Sequence, residues 1–387
     1  MKFWKFAMTC AAGTALFGSL LGGAGAETLK IGVIAPLTGP GAPWGVAAAE
    51  GQRILANEVN ARGGLDVGGK KYQVEVIAYD DQFKAAEAVA AFNRLVNVDG
   101  VKYLTIATSA GTLAVKNTIE SEKIVTLTSS LSDKIYENDT KFIFRLFSPP
   151  PAFLDSFLTW MKENRKERRV AILNSNDETG WAQAKFSTDA YKKHAFPILI
   201  SDMFERSTKD FQPILTKIKD LKPEIIDLGT ASPGTAGLIV RQARELGYTG
   251  IFVQTGPGGP KEIVDAAGKQ AAEGVINTLY ADNDNPSYKQ LVAKYKAKVG
   301  QEPNSIIVAY YDAAAVLLNA ISKAGDVGNT SKVAAAFSAA LPMKSLQGDQ
   351  LTFRVSGGTN QQINTINYVS MIKDGNPVIA AKISPTP

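Results

Sequence analysis

Short apolar runs alternate with amphipathic stretches along most of the chain, and the two differ in period. Residues 29–35 form an apolar β run, and 45–61 place Val46, Ala49, Ile54, Leu55 and Val59 at helical spacing before Gly63 and Gly64 stop the helix. Between them, Gly39, Pro40, Gly41, Ala42 and Pro43 read as a loop. Residues 72–79 alternate as a strand, and the pattern continues through helix 84–97, strand 101–106, helix 112–122 and strands 124–127 and 141–146.

The alternation is then interrupted. Ser148 is followed by Pro149, Pro150 and Pro151, which remove ladder hydrogen bonds and stiffen the backbone, so this stretch reads as a crossing between two bodies. Strand and helix units resume at strand 168–173, helix 180–192, strand 196–200, helix 210–220, strand 224–228, helix 233–246 and strand 250–254. Residues 282–286 read as a return loop before helices 287–299 and 306–323. From Leu351 onward, short alternating runs with turns at Gly357-Gly358 and Asp374-Gly375-Asn376 predict hairpins. Apolar strands separated by helices are the pattern of parallel sheets covered on both faces, so the expected class is α/β with two doubly wound lobes.

Residues 1–26 stand apart. Lys2 and Lys5 precede an apolar run from Phe6 to Leu21, and the stretch ends Ala24-Gly25-Ala26, the form of a cleaved secretory leader. The expected destination is the periplasm. The formal net charge is +5, lowered by two if Lys2 and Lys5 leave with the leader, and the basic cluster at 162–169 is interleaved with Glu163 and Glu167. That is a solvated helix end rather than a nucleic-acid patch. The single cysteine, Cys10, lies in the leader, so the exported chain has no disulfide, and burial in two cores must hold it.

The residues at the start of the chain carry a resemblance. Ile31 to Pro40 (IGVIAPLTGP), Gly45, Ile54 to Gly64 (ILANEVNARGG), Val76 to Asp81 (VIAYDD), and Arg241 to Arg244 (RQAR) with Gly247 resemble the leucine/isoleucine/valine-binding protein family. These are type I periplasmic binding proteins of ABC importers, and the likeness is collinear over nearly all of 27–387. It implies two lobes joined by three crossing segments, near 147–151, 278–282 and 363–368. The implied division is leader 1–26, lobe 1 at 27–147 plus 279–362, and lobe 2 at 148–278 plus 363–387. Such lobes close on a ligand like a jaw.

Ligands of open parallel sheets bind beyond the carboxyl ends of strands, where helix N-termini present free N–H groups. The loop 107–112 offers Thr108, Ser109, Gly111 and Thr112 there, and 128–133 offers Thr128, Ser129, Ser130 and Ser132 beside it. A carboxylate suits both, although the same serines also suit helix capping. By the resemblance, Ser109, Ser130 and Ser132 grip a ligand carboxylate, Trp44 lies over the ligand, and Thr179 with Trp181 enters from the loop 174–180. Relatives that bind amino acids pair the ammonium with an acid after the strand equivalent to 250–254. Here that stretch reads Gln254-Thr255-Gly256-Pro257-Gly258-Gly259-Pro260 and contains none. An aromatic, keto or hydroxy acid is therefore favoured, with a branched-chain or other hydrophobic amino acid next; Asp177, Glu178 or Asp282 could supply the missing charge.

Catalysis finds little support. The one histidine, His194, sits at a helix end and reads as solvated, and Asp80-Asp81 reads as loop capping. Asp282-Asn283-Asp284-Asn285 lacks the glycine and bidentate glutamate of a calcium loop, since Ser287 and Ala293 occupy those places. No dinucleotide or P-loop spacing occurs, so neither enzyme activity nor any cofactor or metal is expected. The expected partners are a small-molecule carboxylate and an ABC permease in the inner membrane, with no nucleic acid, and the expected state is a monomer. The alternative is a periplasmic sensor presenting the same solute class to a signalling receptor.

Overall fold

The computed structural model describes residues 27–136, 140–356 and 359–385; the expected leader and the turn at Gly357-Gly358 lie outside them. The chain opens with β1 (Glu27–Ala35), α1 (Ala42–Ala61), β2 (Leu65–Val67), β3 (Lys70–Asp80), α2 (Ala85–Asn97), β4 (Tyr103–Ile106), α3 (Ser109–Glu122), β5 (Val125–Thr128) and β6 (Ile143–Arg145). Then come α4 (Leu154–Asn164), β7 (Val170–Ser175), α5 (Glu178–Lys193), β8 (Ile198–Phe204), α6 (Gln212–Asp220), β9 (Ile225–Asp227), α7 (Pro233–Glu245), β10 (Ile251–Pro257), α8 (Pro260–Ala267), α9 (Lys269–Ala272) and β11 (Ile276–Leu279). Helices α10 (Pro286–Val299), α11 (Ile307–Ala324) and α12 (Thr330–Ala336) precede β12 (Met343–Lys344), β13 (Gln350–Ser356), β14 (Thr359–Asn364), β15 (Asn367–Lys373) and β16 (Asn376–Ile383).

Among the described residues these strands form two sheets, ordered β12-β13-β14-β6-β5-β4-β1-β3-β2 and β16-β15-β11-β10-β9-β7-β8. In the first, β1 lies between β3 and β4 and is parallel to both; in the second, β7 stands in the same relation to β8 and β9. Each sheet is thus wound outward in two directions from an inner strand, and this opens a crevice at the carboxyl ends of the strands. The doubly wound α/β class is therefore the class observed. β4 and β5 are buried along their whole length, which is why their sequences read as continuous runs. The helices that cover them bury one stripe each, as α2 does with Ala88, Ala91, Phe92 and Leu95.

The buried apolar residues form two clusters. One fills the first lobe and continues through Phe157, Val170, Ile172, Tyr191, Ile225 and Val253 onto one face of the second sheet; the other, around Leu173, Phe211, Ile226, Ile239 and Phe252, fills the opposite face. The chain passes between the sheets after β6, after β11 and between β14 and β15. These passages are tied together. Ser148 N–H donates to Thr365 Oγ1 at 3.2 Å and Thr365 N–H donates to Ser148 Oγ at 2.9 Å, while the Phe147 and Tyr280 rings meet at 4.9 Å. Gln347 donates to the Tyr280 carbonyl (2.9 Å) and accepts from Asp282 N–H (2.7 Å).

Several boundaries differ from the sequence reading, each for a local reason. Helix α1 begins at Ala42, and Gly39–Gly41 is a 3-10 turn, because Pro43 falls in the first helical turn, where a missing N–H costs nothing. β10 continues to Pro257 rather than giving way to a loop at Gln254, and α8 starts three residues later. Helices α4, α8 and α12 are absent from the sequence reading, although α4 places Leu154, Phe157, Leu158 and Met161 at helical spacing. His194 is not solvated but half-buried, with Nε2 3.1 Å from the Asp155 carboxylate.

Asp312 on α11 lies beneath the segment that ties the crossings, and its carboxylate accepts from Leu346 N–H at 2.7 Å. Burial pushes this carboxyl up to about 8, against the Leu346 bond, which favours the charged form. Between the unfolded value of 3.8 and about 8, the folded chain holds a proton that the unfolded chain has lost, so stability from this group is lost as pH rises. In Asp312→Asn the penalty is absent. The thermal midpoint of this variant relative to the native chain should therefore rise between about pH 5 and 8.5; a constant difference would mean that Asp312 is already charged at the lower pH.

Candidate functional site

The crevice at the strand tips is walled on the first lobe by two hydroxyl-bearing turns. Thr108 caps α3: its Oγ1 accepts from Gly111 N–H at 3.3 Å and donates to Asp81 at 2.7 Å. The neighbouring turn is stitched to it. Ser129 donates to the Ala107 carbonyl (2.9 Å) and accepts from the Tyr310 hydroxyl (3.0 Å), while Thr112 and Thr128 share a 2.8 Å hydroxyl contact. Ser109 Oγ accepts from Leu131 N–H (3.2 Å), and Ser130 Oγ accepts from Ser132 N–H (3.2 Å). Ser109, Ser130 and Ser132 are all buried.

Asp81 holds the first of these turns through Thr108 and Asp80 holds the loop that follows β1, in keeping with a capping role. Asp80 accepts from Leu37 N–H (2.8 Å), Gln82 N–H (2.9 Å) and the Thr38 hydroxyl (2.5 Å). Burial alone would raise its carboxyl, yet these bonds outweigh it and hold Asp80 below the usual carboxylate range. Asp81 is more deeply placed, and there burial prevails over its bonds to Thr108 and Phe83 N–H, so its carboxyl is raised.

On the second lobe, Asp177 caps α5 by accepting from Gly180 N–H at 2.9 Å, and it also accepts from the Ser175 hydroxyl at 3.0 Å and pairs with Arg206. Arg206 donates in turn to Ser175 Oγ at 2.9 Å, and Ser175 meets Thr230 at 3.0 Å. The helix can come this close to its strand because residue 180 is glycine; a Cβ there would lie 1.8 Å from the Ser175 carbonyl oxygen. The first turn of α5 therefore reaches across the crevice, and Thr179 donates to Ser109 at 2.9 Å.

A serine hydroxyl has two acceptor sites and one proton. At Ser109 the acceptor sites are taken by Leu131 N–H and the Thr179 hydroxyl, so its own proton is left to donate. Ser132 makes no capping bond with its side chain. With the first-turn N–H groups of α3, the turns thus present donors, an arrangement that suits an anion.

A model of the periplasmic binding protein family matches residues 28–376. The chain belongs to that family. Among curated relatives, this binding protein is 29% identical over 323 residues to the leucine-, isoleucine-, valine-, threonine- and alanine-binding protein of Pseudomonas aeruginosa, covering 81% of this chain and 83% of the relative. It is 26% identical over 329 residues to a Leu/Ile/Val-binding protein of Escherichia coli, covering 84% and 88%. Among solved structures, a leucine-binding protein from Thermotoga maritima superposes with a TM-score of 0.79 at 25% identity over 92% of this chain and 99% of that one. A solute-binding protein of an ABC transporter from R. palustris, solved with benzoate, superposes at 0.75 and 20% identity over 93% and 97%, a likeness of fold.

Within this family fold Thr179 is bonded to Ser109, and Ser109 is bonded to the turn that carries Ser130 and Ser132. Trp44 is on the first turn of α1 rather than in a loop, half-buried and edge-on to Phe83 at 6.3 Å, and its buried indole N–H has no partner among the described residues. Trp181 is 51% exposed and donates to the Asn176 side chain at 2.9 Å, which places it on the outer rim. Sequence reasoning missed Phe83, Arg206, Ser175, Thr230 and Tyr310. Arg206 and Ser175 carried a usable signal, since both lie at the end of a strand; Phe83 carried none, because nothing in Gln82-Phe83 announces two left-handed residues.

Thr179→Val keeps the shape of the α5 turn and removes its bond to Ser109. A net hydrogen bond contributes about 0.5–1.5 kcal/mol, so cargo should bind roughly three- to tenfold more weakly, with the thermal midpoint of the unliganded chain nearly unchanged. Fluorescence titration beside a melting curve checks both halves.

Proposed function

We propose that the chain captures a small carboxylate-bearing solute between its lobes in the periplasm, acts as a monomer, and delivers the solute to an ABC permease in the inner membrane. One observation carries the carboxylate reading: Ser109 on one strand-tip turn is bonded to the neighbouring turn that carries Ser130 and Ser132, and its acceptor sites are taken, which leaves its proton to donate. Two lobes that already meet at Thr179 and Ser109 supply the closing motion.

An aromatic, keto or hydroxy acid is the favoured cargo, a hydrophobic amino acid the next. The curated relatives are named for amino acids, yet the tip of β10 here carries Gln254, Thr255 and Gly256 and no acid. Three of the acids near the strand tips are engaged, whereas Glu178 on the first turn of α5 stays a candidate counter-charge for an amine. Asp177 holds Gly180 N–H and Arg206, and Asp227 accepts from Gly229 N–H (3.0 Å), Thr255 N–H (3.1 Å) and the Thr255 hydroxyl (2.7 Å). Asp81 accepts from Thr108 and Phe83, and burial raises its carboxyl. An ammonium enclosed without a counter-charge is costly, so a ligand that lacks one fits better.

Calorimetric titration with benzoate, phenylalanine and leucine side by side tests the cargo class. Benzoate-type acids should bind more tightly than either amino acid; tight binding of an amino acid with none of its deaminated analogue rejects this reading. Ser132→Ala should weaken binding of the acid by about tenfold or more, because a hydrogen bond to a charged group contributes about 1.5–3 kcal/mol. An unchanged dissociation constant would remove Ser132 from the site.

A further inference from the structure

We propose that Phe83 and Arg206 form a latch across the mouth of the crevice that sets how readily the lobes close, and so scales the affinity for every cargo without touching it. This rests on the crevice being the cargo site, but the latch itself can be tested with no cargo present.

Phe83 belongs to the first lobe and is held in an unusual posture. Gln82 and Phe83 have φ of 49° and 58°, left-handed backbone that residues other than glycine rarely adopt. Asp80 accepts from Gln82 N–H at 2.9 Å and Asp81 accepts from Phe83 N–H at 3.0 Å, so two carboxylates hold the pair there. Gly41 makes room for the ring, since a Cβ at that position would lie 2.1 Å from a Phe83 ring carbon. The posture of Phe83 is thus imposed by its surroundings rather than by its own backbone preference.

Arg206 belongs to the second lobe and is equally fixed. Asp177 and Ser175 engage its fork, both on its own lobe, and the side chains of the Arg206–Asp177 pair are only 18% and 21% exposed. The ion pair therefore does not cross the crevice. What crosses is the flat face of the guanidinium, which lies 4.0 Å from the centre of the Phe83 ring. A cation over an aromatic face is attracted by the ring quadrupole, more strongly where water is kept away. Opening the lobes parts this contact along with the Thr179–Ser109 bond but leaves the Arg206–Asp177 pair intact, so the contact is weak enough to be reversible. Around it, Thr38, Gly41, Asn176 and Ser232 line a space of about 480 Å³, which puts the stack at an entrance.

The test follows lobe closure directly. Val98 on the first lobe and Leu221 on the second are 77% and 42% exposed, and the sequence has one cysteine, so Val98→Cys and Leu221→Cys in the full chain with Cys10→Ser accept a donor and an acceptor dye. Two variants are compared without added ligand: Phe83→Leu, which keeps the apolar bulk and the left-handed backbone, and Arg206→Lys, which keeps the charge and loses the planar face. Each should lower the closed-to-open ratio by about two- to fivefold. Each should also raise the dissociation constant by one common factor for whichever of benzoate, phenylalanine and leucine bind the native chain, mainly through faster release. Unchanged energy transfer in both variants overturns the latch, as does a loss of affinity that differs between ligands at constant closure. If none of the three acids binds, the cargo reading fails while the energy-transfer result still decides the latch, and if Phe83→Leu does not fold, Arg206→Lys decides it alone.

Discussion

A hydroxyl beside a helix N-terminus can either donate or accept, and the choice made at Ser109 sets the polarity of the whole crevice. Leu131 N–H and the Thr179 hydroxyl fill its acceptor sites, so the Ser109 proton joins the free N–H groups of the α3 first turn. On the proposed reading, donors at this turn replace part of the hydration of an anion. The stitching of the two turns through Ser129, Thr112 and Thr128, and their support by Asp81 and Tyr310, serves to hold that polarity in one geometry.

The second lobe meets this wall with a single element. The first turn of α5 brings Thr179 to Ser109 and, through its cap Asp177, fixes Arg206 against Phe83. These two contacts across the crevice begin at one helix N-terminus, and Gly180 lets that terminus sit close on its strand. Just past the tip of β6, the paired Ser148 and Thr365 and the packed Phe147 and Tyr280 join the crossings into one strap.

Much of this was legible in the sequence because strand burial and helix amphipathicity write themselves as period. The runs at 101–106 and 124–127 became β4 and β5 with little shift, and the turns between strands and helices fell where the hydroxyl residues stand. The three prolines after Ser148 do lie where the chain leaves the first sheet. Contacts between lobes were not legible. Thr179 and Ser109 are seventy positions apart, and Arg206 meets a ring whose posture depends on two left-handed residues without a glycine to signal them. Trp44 was misplaced for a related reason: a proline in a helical first turn looks like a loop until the helix is seen.

A crystal structure of the chain grown with an acid that binds it in solution examines the polarity of the crevice most directly. The carboxylate should lie within about 3.2 Å of the Ser109 and Ser132 hydroxyls, with its tail directed away from both turns. A carboxylate remote from both turns, or a cationic group seated against Ser109, would contradict the donor cradle.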